Sequence, residues 1–156
     1  MRNRQTLKAG ILACLVPGAG AAANGAEQHQ PVAVTGPVVA DIVRVIDGDT
    51  ILVSARPWPQ QTVEVYVRLR GIDTPELRSS CPDIRVLAQA AKARLIELAS
   101  GHNELSLTDI EGDKFFGRVI ADVRFPDGVN PAQDLVAAGL ASSYHGGKRR
   151  QDDCRF

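Results

Sequence analysis

Within ten residues, Val67-Arg68-Leu69-Arg70-Gly71-Ile72-Asp73-Thr74-Pro75-Glu76 places two guanidinium groups and two carboxylates around a Pro-stiffened turn. An arginine offers a planar fork of donors that matches two phosphate oxygens and stays charged at any physiological pH. A carboxylate supplies either a hard oxygen for Ca²⁺ or Mg²⁺ or a base for an attacking water. Together these are the parts needed to bind and cut a phosphodiester. The bland reading of the run is a charged strand end followed by a turn, so the decision rests on two further segments.

In Val45-Ile46-Asp47-Gly48-Asp49-Thr50-Ile51, an Asp-Gly pair sits between two β-branched runs. That pattern signals a hairpin in which glycine accepts the positive φ of the turn, with Asp49 opening the second strand. In Asp113-Lys114-Phe115-Phe116-Gly117-Arg118, a glycine precedes an arginine that begins another β-like run, Val119-Ile120-Ala121-Asp122-Val123. Each segment is weak alone. In the order D-G-D-T, R-x-x-G-I-D-T-P-E, F-G-R, they resemble the staphylococcal-type nuclease (thermonuclease) family, over roughly residues 38–145.

The resemblance implies a role for each matching position. Asp49 and Asp73 would bind one Ca²⁺ by their carboxylates and Thr74 by its carbonyl. Arg68 and Arg118 fall on the family's phosphate-binding arginines, and Glu76 on its catalytic glutamate. Arg70 reads as a charged surface neighbour of Arg68 or a weak backbone contact. The chain departs from the usual D-x-Y-G-R pattern, having one residue more and no hydroxyl. A tyrosine there donates to phosphate, which Phe116 cannot do. The implied reaction is attack by a water in line with the leaving 5′-oxygen. Glu76 orients or deprotonates that water, and Arg68 and Arg118 stabilise the charge of the transition state. Nucleic acid, DNA and as a second candidate RNA, is the implied partner, and the expected state is a monomer.

The N-terminus reads as an export signal. Arg2, Arg4 and Lys8 form a basic region, residues 9–16 are apolar, and small residues near 19–23 offer a cleavage site, so residues 1–26 are assigned to the signal with cleavage between 21 and 26. The apolar run is far too short to span a membrane. Cys14 as an acylated cysteine is the alternative, but Ile11-Leu12-Ala13-Cys14 leaves almost no apolar run ahead of it. Residues 27–37 read as a flexible leader and 38–156 as the nuclease-like domain. The expected location is the periplasm or the exterior, without stable membrane association. In such an oxidising compartment the two remaining cysteines, Cys81 and Cys154, are expected to pair. The bridge would close a loop of about 73 residues, contributing roughly 4 kcal/mol in the chain-entropy picture. The chain ends soon after Gly139-Leu140-Ala141, so no long C-terminal helix is expected, and the bridge would fasten the tail.

Charge excludes a strongly basic nucleic-acid coat. The chain has 18 basic and 18 acidic residues; setting aside Arg2, Arg4 and Lys8 leaves 15 against 18, a net of −3. Attraction to a polyanion must come from a local cluster, with bound Ca²⁺ adding charge where carboxylates would otherwise repel phosphate. The tail Lys148-Arg149-Arg150 reads as a solvated run that could assist. Zinc is a poor candidate, because His29, His102 and His145 are scattered and oxygen donors suit a hard ion.

These groups need a frame. β-branched alternation predicts strands over 38–46, 49–55 and 62–72, with Arg56-Pro57-Trp58-Pro59 as a loop. Pro82 and Asp83 start a helix through Ser100, with Ile84, Leu87, Ala88, Ala91, Leu95 and Leu98 on one stripe and Gly101 as its stop. Strands follow over 104–110 and 118–125, an Asp127-Gly128 turn, and a short helix to Ala138 capped at Asn130-Pro131. Mainly β with two or three helices, five strands in this order are what an OB-fold Greek-key barrel shows. Such a barrel also serves proteins that bind single strands without cutting, through aromatic platforms and a basic groove. One Trp, two Tyr and four Phe supply few platforms, and a pure binder has no use for the metal carboxylates. A secreted inhibitor or adhesion module is the third reading, and only the intact residue set tells against it.

Overall fold

The structure, a computed structural model, describes residues 32–147. The expected export signal, Cys14, the tail Lys148-Arg149-Arg150 and Cys154 lie outside the described residues. Five strands close into a barrel: β1 (Val38–Val45), β2 (Thr50–Ala55), β3 (Val63–Leu69), β5 (Glu104–Gly112) and β6 (Arg118–Arg124). Around the barrel they run β1-β2-β3-β6-β5, with β5 pairing back onto β1. β3 and β6 are parallel and every other barrel pair is antiparallel. The expected OB-fold barrel is therefore the observed one. Its interior is filled by alternate residues, among them Ala40, Ile51, Val53, Val67, Leu69, Leu105, Leu107, Ala121 and Val123. That alternation carries one consequence for chemistry. Arg68 stands between two core residues, Val67 and Leu69, so its side chain leaves the opposite face of β3.

The strand expected over 62–72 is broken. β3 stops at Leu69, Gly71 takes φ +80°, and β4 (Ile72–Asp73) runs on separately. The kink is available because glycine has no Cβ to clash at positive φ. β4 pairs with β7 (Ser142–Ser143) in the register Ile72 with Ser143 and Asp73 with Ser142, and the Tyr144 N–H donates to the Gly71 carbonyl at 2.8 Å. The segment after the last helix thus holds the Asp73 turn in place.

Helix α1 (Pro82–Ala99) starts with Pro82 in its first turn, where a missing N–H costs nothing, and ends before Gly101 at φ +87°. It buries Ile84, Ala88, Ala91 and Leu95. Leu87, placed by sequence on the same stripe, is 39% exposed: it lies one turn-edge away from the line through 84, 88, 91, 95 and 98. Helix α2 (Pro131–Ala137) is capped by Asn130, whose Oδ1 accepts the N–H groups of Ala132 and Gln133. Arg94 of α1 joins the two helices through both carboxylate oxygens of Asp134, at 2.7 and 2.9 Å. That contact raises the Arg94 guanidinium and lowers the Asp134 carboxyl from their ordinary ranges. Among the described residues no helix is long and apolar enough to cross a membrane.

Ahead of β1, Val34 bridges Ile110, with N–H to carbonyl distances of 2.9 and 2.8 Å, and the Thr35 carbonyl accepts the Asp109 N–H at 3.0 Å. The described part of the leader segment is therefore hydrogen-bonded to a bulge in β5, where Asp109 takes φ +49°. Arg70 serves this bulge. Its guanidinium donates to the Asp109 and Ile120 carbonyls and lies 3.4 Å from Glu111. The backbone-contact reading of Arg70 is the one the structure bears out.

Candidate active site

Three turns meet at one cavity of about 550 Å³: 47–49 before β2, 73–76 after β4, and 113–117 before β6. Asp47, Asp49, Arg68, Thr74, Glu76 and Arg118 line it, together with Arg78, Lys114 and Phe115.

The first turn differs from the sequence expectation. β2 begins at Thr50, not Asp49, and Gly48 does not have positive φ. Glycine is required there by space. A Cβ at residue 48 would lie 2.7 Å from the Ala91 Cβ on α1 and 2.9 Å from the Thr74 Oγ1. The turn is thus pressed between the helix and the second turn, which fixes Asp49 relative to both. Gly48→Ala is expected to destabilise the fold by roughly 1–3 kcal/mol, the scale of overpacking, because the Ala91 Cβ is fixed to the helix backbone and has no rotamer to escape into. Denaturant midpoints of the two proteins check this; an unchanged midpoint would show that the turn has room the distances deny.

Asp49 is 3% exposed. Its N–H donates to the Asp47 Oδ1 at 3.1 Å and its carbonyl accepts the Leu69 N–H at 2.8 Å, tying the turn to the end of β3. Its carboxylate accepts the Thr50 hydroxyl at 2.9 Å and the Thr74 N–H at 3.4 Å. Arg68, also buried, forks between the acids: Nη1 reaches both Asp49 oxygens at 2.9 and 2.8 Å, and Nη2 reaches the Asp73 Oδ1 at 2.6 Å and the Ile72 carbonyl at 3.3 Å. One guanidinium therefore gathers two carboxylates that are 24 positions apart in the chain. Burial pushes the Asp49 carboxyl up to about 6, against the pull of Arg68 and with help from the nearby Asp47. Desolvation of the carboxylate outweighs its one cationic partner.

Glu76 stands exposed on the rim of the cavity, on a turn closed by the Ser79 N–H to the Glu76 carbonyl at 3.1 Å. Arg118 comes from the third turn. Its Nε donates to the Asp113 carboxylate, and its guanidinium lies over the Phe115 ring, 4.6 Å from the centroid. A salt bridge on one side and an aromatic face on another leave the guanidinium little freedom. Gly117 at φ +78° allows this turn.

The structure brings Asp49, Arg68, Thr74, Glu76 and Arg118 to one cavity; Asp73 reaches it through Arg68 and itself borders a second recess with Thr74, Pro75 and residues 139–142. Cys81 is buried where α1 begins, while its expected partner Cys154 lies outside the described residues. Sequence reasoning left Asp47, Thr50, Asp113, Arg78 and Lys114 without roles. Asp47, Thr50, Asp113 and Lys114 stand within the quoted motifs, so the signal was there; the roles come from hydrogen bonds that spacing does not display.

The donor set fits a hard divalent cation. Among the described residues no three His, Cys, Asp or Glu side chains cluster to hold a metal; the two carboxylates gathered by Arg68 are the oxygen donors the structure brings together. What favours a cation is the charge balance. Asp49 is buried and Asp73 half-buried, with a single guanidinium between them, and the burden of burial shows in the raised Asp49 carboxyl.

Residues 66–155 match the model of the staphylococcal nuclease homologue family. Two relatives, an uncharacterized endonuclease of Escherichia coli and another of Escherichia coli O157:H7, are each 32% identical over 103 residues. That stretch is 66% of this chain, and the chain spans 59% of the relatives' length. The family match takes in Arg68, Asp73, Thr74, Glu76 and Arg118 but begins after Asp49.

Proposed function

This chain belongs to the staphylococcal nuclease homologue family, and we propose that it is a Ca²⁺-dependent nuclease hydrolysing the phosphodiester bonds of DNA, with RNA as a second substrate. The observation that carries the reading is the fork of Arg68 between Asp49 and Asp73 at the cavity that Glu76 and Arg118 also line. A phosphate drawn into that cavity meets the Arg118 guanidinium, already aimed by Asp113 and Phe115, with the charge of Arg68 beside it, held by the two acids. Both guanidinium charges stabilise the negative charge that grows on the phosphate oxygens in the transition state. Glu76, unshielded from solvent, orients and deprotonates the water that attacks phosphorus. Ca²⁺ held by the Asp49 and Asp73 carboxylates and the Thr74 carbonyl would supply a Lewis acid that polarises a phosphate oxygen. Export and a Cys81–Cys154 bridge belong to the same reading, supported by the basic and apolar N-terminal stretch.

The test is an assay of the protein on denatured DNA and on RNA, with Ca²⁺, with Mg²⁺ and with chelator. Hydrolysis is expected with Ca²⁺, none in chelator, and little with Mg²⁺, which demands tighter octahedral geometry. Full activity in chelator overturns the metal assignment, and no hydrolysis under any condition overturns the nuclease.

A further inference from the structure

The turn that carries Arg118 holds two adjacent aromatic residues with opposite fates. Phe115 lines the cavity, with the Arg118 guanidinium 4.6 Å and the Lys114 ammonium 5.0 Å from its ring centroid. Phe116 is 108% exposed, more than any other large apolar side chain among the described residues. The turn beneath it is pinned: the Asp113 N–H donates to the Arg118 carbonyl at 3.1 Å, the Arg118 N–H to the Phe115 carbonyl at 3.2 Å, and the Asp113 carboxylate holds the Arg118 side chain. A ring presented in full to water on a pinned turn is unfavourable for the free protein, since each aromatic ring carries about 150–250 Å² of burial capacity. Core packing does not use it. Two positions to either side of it along the turn stand Lys114 and Arg118, cations that line the cavity with Phe115.

A flat apolar face next to anion-binding groups matches a nucleotide, whose phosphate and base are joined at a fixed short reach. We propose that Phe116 is a nucleobase subsite: the base of an unpaired nucleotide next to the phosphate held by Arg118 stacks on the Phe116 ring. This deepens the nuclease reading above and rests on it for the position of the phosphate. Stacking needs a free base face, so the subsite selects single-stranded over fully paired substrate, and it tolerates all four bases because each has a π-face.

The test uses the full chain with Glu76→Gln, in Ca²⁺, so that the probe strand survives. Binding of a fluorescent single-stranded oligothymidine and of an abasic strand of equal length is followed by anisotropy, with Phe116→Ala and Phe116→Trp compared to the parent. Phe116→Ala is expected to weaken oligothymidine binding roughly tenfold, the scale of losing one base–aromatic stack, and to leave abasic binding unchanged. Phe116→Trp is expected to keep the affinity. Because the ring is fully exposed, the melting temperature should not move. Equal affinity of the parent and Phe116→Ala for oligothymidine overturns the subsite, as does an equal loss on the abasic strand. The two readings separate cleanly. Unaltered oligothymidine binding with normal hydrolysis by the Glu76 protein removes the subsite and leaves the nuclease, while Phe116-dependent binding by a protein that hydrolyses nothing does the reverse.

Discussion

Arg68→Ala is expected to lower both turnover and stability, and by large amounts. The side chain is 11% exposed and is the cation between Asp49 and Asp73, whose side chains are 4% and 17% exposed. Removing it leaves a buried carboxylate uncompensated, which in comparable pairs costs roughly 3–5 kcal/mol. For a chain of this size that lowers the melting temperature by on the order of 10 °C or more. The rate of a protein kept folded at low temperature should still fall by about 10²–10³, the scale of losing one preorganised donor to the transition state. Arg68→Lys separates the two effects. It keeps a charge near the acids but cannot span them and a phosphate with one planar fork, so stability should largely return while the rate does not. Arg70→Lys is the control, since Arg70 binds the β5 bulge and not the cavity. A crippled Arg70→Lys beside an active Arg68→Lys would shift the register of the site by two residues.

Glu76→Gln should leave folding and substrate affinity intact and cut turnover by about a hundredfold or more, the usual contribution of a positioned base. Glu76 is exposed on the cavity rim, and an amide of equal size keeps its volume there. Single-turnover rates measured beside affinity distinguish the roles. A rate equal to the parent's would reduce Glu76 to a residue of the turn that its own carbonyl closes.

Much of this architecture was legible in the sequence. Period-2 runs marked the barrel strands, and the stripe through Ile84, Ala88, Ala91 and Leu95 marked α1, because both patterns record which face of a local element meets the core. Turn chemistry located the three loops that carry the chemical groups, since glycine and proline restrict the backbone within a few residues. The candidate residues themselves came from ordered motifs, and five of the six lie within the family match.

What the sequence could not show was set by pairing across distance. Asp49 stands outside the family match and 19 residues before Arg68, yet the register of Thr50 opposite Arg68 in the β2–β3 pair puts carboxylate and guanidinium in contact. The break at Gly71 is held by residues 142–144, some 70 positions onward, so a strand that looks continuous locally is divided by a late partner. Gly48 reads as a positive-φ turn residue, but its need arises from Ala91 on a helix that the local pattern does not place beside it. The split between Phe115 and Phe116 is of the same kind: both are apolar, and only the anchored turn decides that one supports Arg118 while the other faces water. By itself the sequence determined the element types and the chemical groups, because propensity and periodicity are properties of neighbours along the chain. The tertiary structure alone decided which groups share a cavity, because strand register and helix packing join residues whose separation in sequence carries no local signal.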